Sequence, residues 1–285
     1  SVLSSPVARG NGGLNASLSF ALALAQMEVG RHDLAVEPLN QCLAKRKQPT
    51  LSPINPDVMS SAPHHCLALC HARLGNVAAA EQAFRAALTE TGNLAIVRHD
   101  YARFLAEQNR PVDALHRLHE AVTENARDLN AWRLGGQISL SHPQFLEFAC
   151  DWTGEATRHQ PQDKTIMAQR AEALLVSQDA AASGRLWASL CDSSREPTFL
   201  AALVLCELIA EPASQVQVGA QENQAVTRAF LQWYRKCLAA GAKDIIVRVN
   251  ARAEELAAML PEAARIIKAV AMEAERATPA ESCLA

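Results

Sequence analysis

The sequence predicts an all-α chain of repeated antiparallel helix pairs, and three observations carry that prediction. Ala and Leu dominate a chain that is 49% hydrophobic and only 5% aromatic over its 285 residues, a composition suited to many short helices in close contact. Long β-branched runs are scarce: Ile245 to Val249 is brief and runs on into Ala, Glu and Leu at helical spacing, so no sheet is predicted. A residue pattern also returns after 34 residues in the central third, within the range of about 20 to 50 residues that marks repeat arrays.

The pattern is specific in its chemistry. Ala80, Phe84 and Ala87 return as Ala114, Leu118 and Ala121, and the turn residue Gly75 returns as Asn109. The spacing Ala-x3-Phe-x2-Ala puts three residues on one helical face, with a small residue where two helices come closest. Gly75 and Asn109 suit the left-handed conformation that ends a helix. Pro111 suits the first turn of the next one.

These residues resemble the tetratricopeptide repeat, whose pattern runs Trp-x2-Leu-Gly-x2-Tyr, then Ala-x3-Phe-x2-Ala, then Pro. The resemblance implies a right-handed superhelical solenoid of antiparallel helix pairs. Going forward, Trp132 and Gly136 take the Trp and Gly positions of the next unit, with Pro161 near its end and Phe148 and Trp152 where Ala and Phe are expected. Ala171, Leu174, Ser183, Trp187 and Leu190 fit the unit after that with a one-residue slip. Going backward, Gly30, Ala35, Leu39 and Cys42 fit a first unit, separated from the second by a Pro- and Ser-rich insertion.

The domain organisation follows. Residues 1–15 are expected to be a disordered lead-in, 16–193 about five repeat units with an insertion at 48–60, 196–276 two degenerate helix-pair units, and 277–285 a flexible tail. Degenerate end units are expected because they shield the neighbouring core from water. Phe199 to Ala210 and Gln224 to Ala240 are read as one helix pair around a polar loop, and Lys243 to Leu260 with Pro261 to Arg276 as the last.

The resemblance further implies that the first helix of each unit lines a concave groove. In this chain that register gives His65, Leu69 and Arg73, then His99, Arg103 and Glu107, then Asn130, Arg133 and Gln137, with Glu172 further on and Phe20, Leu24 and Met27 at the start. Arg103 and Arg133, with His99 and Gln137 beside them, are the expected donors for a carboxylate or an acidic peptide, since guanidinium pairs with carboxylate bidentately. His65 and Asn130 complete the candidate site. The paired Asn residues of the family's carboxylate clamp are missing, so that ligand is not expected. The competing reading of the arginines is a set of solvated ion pairs with neighbours such as Glu107.

Other chemistries find little support. The net charge is −3 with dispersed basic residues, which argues against a nucleic-acid partner. No apolar run reaches the 18 or so residues of a membrane span; the nearest is Phe199 to Ile209. The eight cysteines include no Cys-x-x-Cys and are read as reduced, mostly buried thiols, which implies a cytoplasmic location. His64, His65, Cys66, Cys70 and His71 could ligate a metal, but no distant second pair accompanies them. His116, His119 and Glu120 lack the His-Glu-x-x-His order. His99 and Asp100 are adjacent, so their side chains diverge on a helix and form no dyad. Nucleophile, phosphate and dinucleotide motifs are absent. No catalytic residue, metal or cofactor is expected. The four tryptophans are read as core.

The expected function is therefore a non-catalytic protein-protein interaction scaffold that binds a peptide or partner protein, with no nucleic acid and no membrane span. The alternative is the accessory repeat region of a bacterial multidomain enzyme, because the Ala- and Leu-rich units resemble arrays that follow the catalytic domain of some family 2 glycosyltransferases. No Asp-x-Asp motif occurs to support a catalytic domain within these residues. Phe20 and Gln137 alone speak for a carbohydrate-binding module.

Overall fold

A computed structural model describes residues 15–48, 55–210, 217–219 and 221–277. The expected lead-in and tail lie outside these residues except for Asn15 and Ala277, and so do 49–54 of the insertion and 211–216 and 220 of the polar loop. Every regular element among the described residues is helical, and the chain forms two compact units, Ser1–Leu134 and Gly135–Ala285.

The first unit contains α1 (Ala16–Glu28), α2 (His32–Lys45), α3 (Ala62–Arg73), α4 (Val77–Leu88), α5 (Leu94–Glu107) and α6 (Pro111–Glu124), and ends within α7 (Leu129–Leu140). Successive helices pack as hairpins: α1 on α2, α3 on α4, α5 on α6. The repeat pattern is the reason. Ala35, Leu39 and Cys42 on α2, Ala80, Phe84 and Ala87 on α4, and Ala114, Leu118 and Ala121 on α6 are all buried. Burying a Phe or Leu side chain favours the fold by about 1.5–3 kcal/mol, and the alanines let the backbones approach. Phe84 stacks on Tyr101 with ring centroids 5.0 Å apart and meets Phe104 at 5.5 Å. The expected left-handed turns are present at Gly75 (φ 75) and Asn109 (φ 58).

The described end of the insertion is docked on this unit. A short 3-10 helix, Pro56–Met59, buries Val58. Arg46, itself buried, pairs with Glu90 at the end of α4 and donates to the Val58 and Ser60 carbonyls at 3.4 and 3.3 Å. One guanidinium thus satisfies the backbone of the insertion and a carboxylate at once.

The second unit holds the rest of α7, a 3-10 helix Pro143–Phe145, then α8 (Leu146–His159), α9 (Lys164–Val176), α10 (Ala180–Ser193), α11 (Pro197–Ile209), α12 (Asn223–Ala239), α13 (Lys243–Ala251), α14 (Ala253–Met259) and α15 (Pro261–Ala277). Here the expected register needs correcting. Phe148 turns outward, and Ala149, Thr153 and Ala156 form the buried face of α8, with Trp152 buried beside them. Ser183, Trp187 and Leu190 on α10 then follow in step. The one-residue slip therefore sits one unit earlier than expected, where the 3-10 turn adds a residue before α8.

Trp152 is admitted by a missing side chain. A Cβ on Gly135 would stand 2.3 Å from the indole, and one on Gly136 would stand 2.4 Å from Oε1 of Gln169. α11 is the apolar run that came closest to a membrane span; Leu200 to Cys206, Leu208 and Ile209 are buried against α10, α12 and α13. A helix apolar all round belongs in a core. No helix of the described residues is long and apolar enough to cross a membrane. The predicted helix Lys243 to Leu260 is broken at Arg252 into α13 and α14.

Candidate partner-binding face

In the first unit the candidate residues lie on α3, α5 and the start of α7. His65, at the repeat position that returns as His99, is half-buried. Its Nε2 lies 3.0 Å from Oδ2 of Asp100. Arg103, one turn along α5, donates from Nη1 to the other oxygen of the same carboxylate at 2.7 Å, and its side chain stays 57% exposed. Burial alone would raise the Asp100 carboxyl, but the hydrogen bonds and charges of His65 and Arg103 hold it below its usual range. Asp100 therefore joins two candidate residues from different helices. The partner of Arg103 is Asp100, not Glu107.

His99 does not face the exposed surface. It is 9% exposed, and its Nε2 lies 2.8 Å from Oδ2 of Asp128. The reason is the repeat itself: the ring that reaches from α3 to α5 at His65 reaches from α5 to the start of α7 at His99. Phe20, expected on the groove, is likewise buried in the core. Asn130 and Gln137 are exposed and Arg133 is half-buried; Gln137 belongs to the second unit. Arg73 and Glu107 are exposed on α3 and α5.

Asp100 and Asp128 were missed as site residues. The His99–Asp100 pair drew attention only as sequence neighbours, whereas each histidine bonds a carboxylate on the following helix or its cap. Asp128 does carry a readable signal, standing one residue before α7 at the N-cap position.

Two further ion clusters tie the unit together. Glu81 accepts from Arg110 Nη1 at 2.8 Å and from the Tyr101 hydroxyl at 3.2 Å. Its carboxyl is held low, chiefly by the hydrogen bond from Arg110. Glu90 takes Arg46 and, at 3.1 Å, Nδ1 of His64; burial works to raise this carboxyl, yet those two partners hold it low.

The cysteines and histidines singled out from sequence do not assemble a metal centre: no group of three His, Cys, Asp or Glu side chains among the described residues could hold an ion. Burial pushes the Cys66 thiol up to about 12 and the Cys70 thiol to about 11, which makes both poor nucleophiles. His116 and His119 are exposed, His116 lying 3.5 Å from Glu120. In the second unit Glu172, expected on the groove, is paired instead with Lys236 of α12.

The sequence matches no protein-family model and no curated protein. The fold is similar to solved tetratricopeptide structures. A tetratricopeptide repeat protein from Parabacteroides merdae aligns with a TM-score of 0.55 at 14% identity, over 93% of this chain and 94% of that one. The C-terminal part of a TPR repeat-containing protein from Cytophaga hutchinsonii aligns at 0.53 and 12% identity, over 85% and 96%. PilF from Pseudomonas aeruginosa aligns at 0.51 and 19% identity, over 77% and 90%. The chain thus has the tetratricopeptide-repeat fold.

Proposed function

We propose that this tetratricopeptide-fold chain is a non-catalytic scaffold whose first unit holds an acidic segment of a partner protein against α3, α5 and the start of α7. The observation that carries this reading is the arrangement at Asp100, which fixes Arg103 by one nitrogen and leaves the rest of an exposed guanidinium in a set orientation. A guanidinium restrained in this way loses less freedom on meeting a carboxylate. Exposed Arg73 lies on the neighbouring helix and half-buried Arg133 at the start of α7. The seven described cysteines are free thiols, which supports a reducing compartment such as the cytoplasm.

The test is peptide selection by display on the purified chain. Enriched peptides are expected to be rich in Asp and Glu and to lose binding to the double variant Arg103→Glu, Arg133→Glu. Enrichment without acidic residues, or affinity unchanged by the double reversal, rejects the reading.

A further inference from the structure

We propose that the second unit carries a separate binding pocket for a small carboxylate with an apolar body, and that Lys236 holds the carboxylate. The C-terminal ends of α7, α9 and α12 converge on a pocket of about 370 Å³, bounded by Leu146 and Val176 on the apolar side and by His142 and Lys236 on the polar side. That volume lies in the lower part of the range for small-molecule sites, and an apolar wall with few polar groups is their usual composition. All of its lining residues belong to the second unit, so it is distinct from the face proposed above.

Lys236 is fixed at the wall without being used up. Glu172 of α9 pairs with it from one side, and its Nζ lies 5.7 Å from the ring centroid of Trp233. Trp233 is in turn held by a 3.0 Å hydrogen bond from its Nε1 to the Thr198 carbonyl. The ammonium has three donors and one oxygen of Glu172 accepts from it, while the lysine side chain remains 41% exposed. Glu172 is not part of the wall. Burial pushes the Glu172 carboxyl up even with Lys236 beside it, so this counter-charge is a costly one to keep. His142 donates from Nδ1 to the Ile138 carbonyl at 2.9 Å, since a carbonyl only accepts, and this leaves Nε2 as the ring's other polar atom.

Helix C-termini by themselves attract cations, so the opposite ligand class must be weighed. Most of the last-turn carbonyls of these helices are already engaged by the backbone that follows. Gln137 and Ser139 accept from Ser141 and His142, Leu174 and Leu175 from Asp179 and Gln178, and Cys237 and Leu238 from Ala242 and Gly241. Lys236 is the charged residue of the wall, and the N–H donors that Glu172 leaves it can be accepted by a carboxylate but not by an ammonium, which has no acceptor.

The probe is 3-phenylpropionate, titrated into the full chain alongside its amide and 3-phenylpropylamine, with backbone amide signals followed by NMR. The acid is expected to saturate and to shift the signals of Ser141, His142 and Ala239, with the amide and the amine at least about tenfold weaker, as loss of a charge-assisted bond implies. Lys236→Met should weaken the acid by a similar factor and Lys236→Arg should retain binding. Ala239→Phe fills the pocket from an exposed wall position, leaves the Lys236–Glu172 pair in place, and should abolish binding with the melting temperature unchanged; it decides the matter if Lys236→Met unfolds. No saturable binding of the acid, equal binding of acid and amide, tighter binding of the amine, or undiminished binding to Ala239→Phe overturns the proposal.

Discussion

Asp128 works in two directions at once: Oδ2 lies 2.8 Å from Nε2 of buried His99, and Oδ1 accepts the Ala131 backbone N–H at 3.0 Å. The same carboxylate caps α7 and satisfies a ring that projects from α5, so the start of one repeat is bonded to the first helix of the repeat before it. Replacing it with Ala removes a cap and leaves a buried polar ring, together costing about 2–4 kcal/mol. Asp128→Asn keeps the cap acceptor and should lose less than half of that. Urea denaturation of both variants checks this; equal losses would mean that the cap contributes nothing.

The low carboxyls of the first unit set its acid sensitivity. Glu81, Glu90 and Asp100 all titrate below their usual values in the folded chain. The unfolded chain therefore binds protons first as pH falls, and their stabilisation, full above the unfolded values, disappears as pH drops through the folded ones. Glu172 has the opposite sign, since its folded value is raised, and its contribution weakens as pH rises through that region. Melting temperatures between pH 3 and 7 should fall toward acid less steeply in Glu81→Gln than in the parent chain, and more steeply in Glu172→Gln.

Gln178 occupies a left-handed turn (φ 70) before α10, the place that Gly75 fills before α4. A left-handed L-residue costs roughly 1–2 kcal/mol, and glycine gives part of this back as unfolded-state entropy. Gln178→Gly should stabilise the chain by about 0.5–1 kcal/mol, and Gly75→Ala should destabilise it by about as much. Thermal melts of the two variants should move in opposite directions, and movement in the same direction would contradict the turn argument.

Gly135 sits inside a helix, where Ala is normally the better residue by about 1 kcal/mol. Its Cβ position is taken by the Trp152 indole. Gly135→Ala should therefore destabilise by about 1–3 kcal/mol through overpacking. Adding Trp152→Phe should recover part of the loss, and a double-mutant cycle that shows no coupling would separate the two residues.

Much of the architecture was legible from residues that act locally. Ala-x3-Phe-x2-Ala demands one buried helical face wherever it occurs, so α4 and α6 followed from Ala80, Phe84, Ala87 and their counterparts. Gly75 and Asn109 announced their turns for the same reason, since backbone sterics depend on one residue and its neighbours. The slip before α8 was misplaced because Phe148 and Trp152 looked like the pattern, and only packing against Gly135 reveals which face of α8 is inward. The break at Arg252 was invisible for a similar reason, since a helix pattern says nothing of where the chain must turn to cover α11.

The site divides along the same line. Which helices carry the charged residues was determined by sequence alone, because the repeat period fixes positions on a helix face. Which of those residues remain available was decided by tertiary structure. His65 and His99 hold equivalent positions in the repeat and both are taken up by a carboxylate one helix away, whereas Arg103 beside them stays exposed. Those carboxylates come from the next helix or its cap, at a distance that no local pattern specifies. The Lys236–Glu172 pair joins residues 64 positions apart in the chain, and so the pocket beside it exists only once α12 has packed on α9.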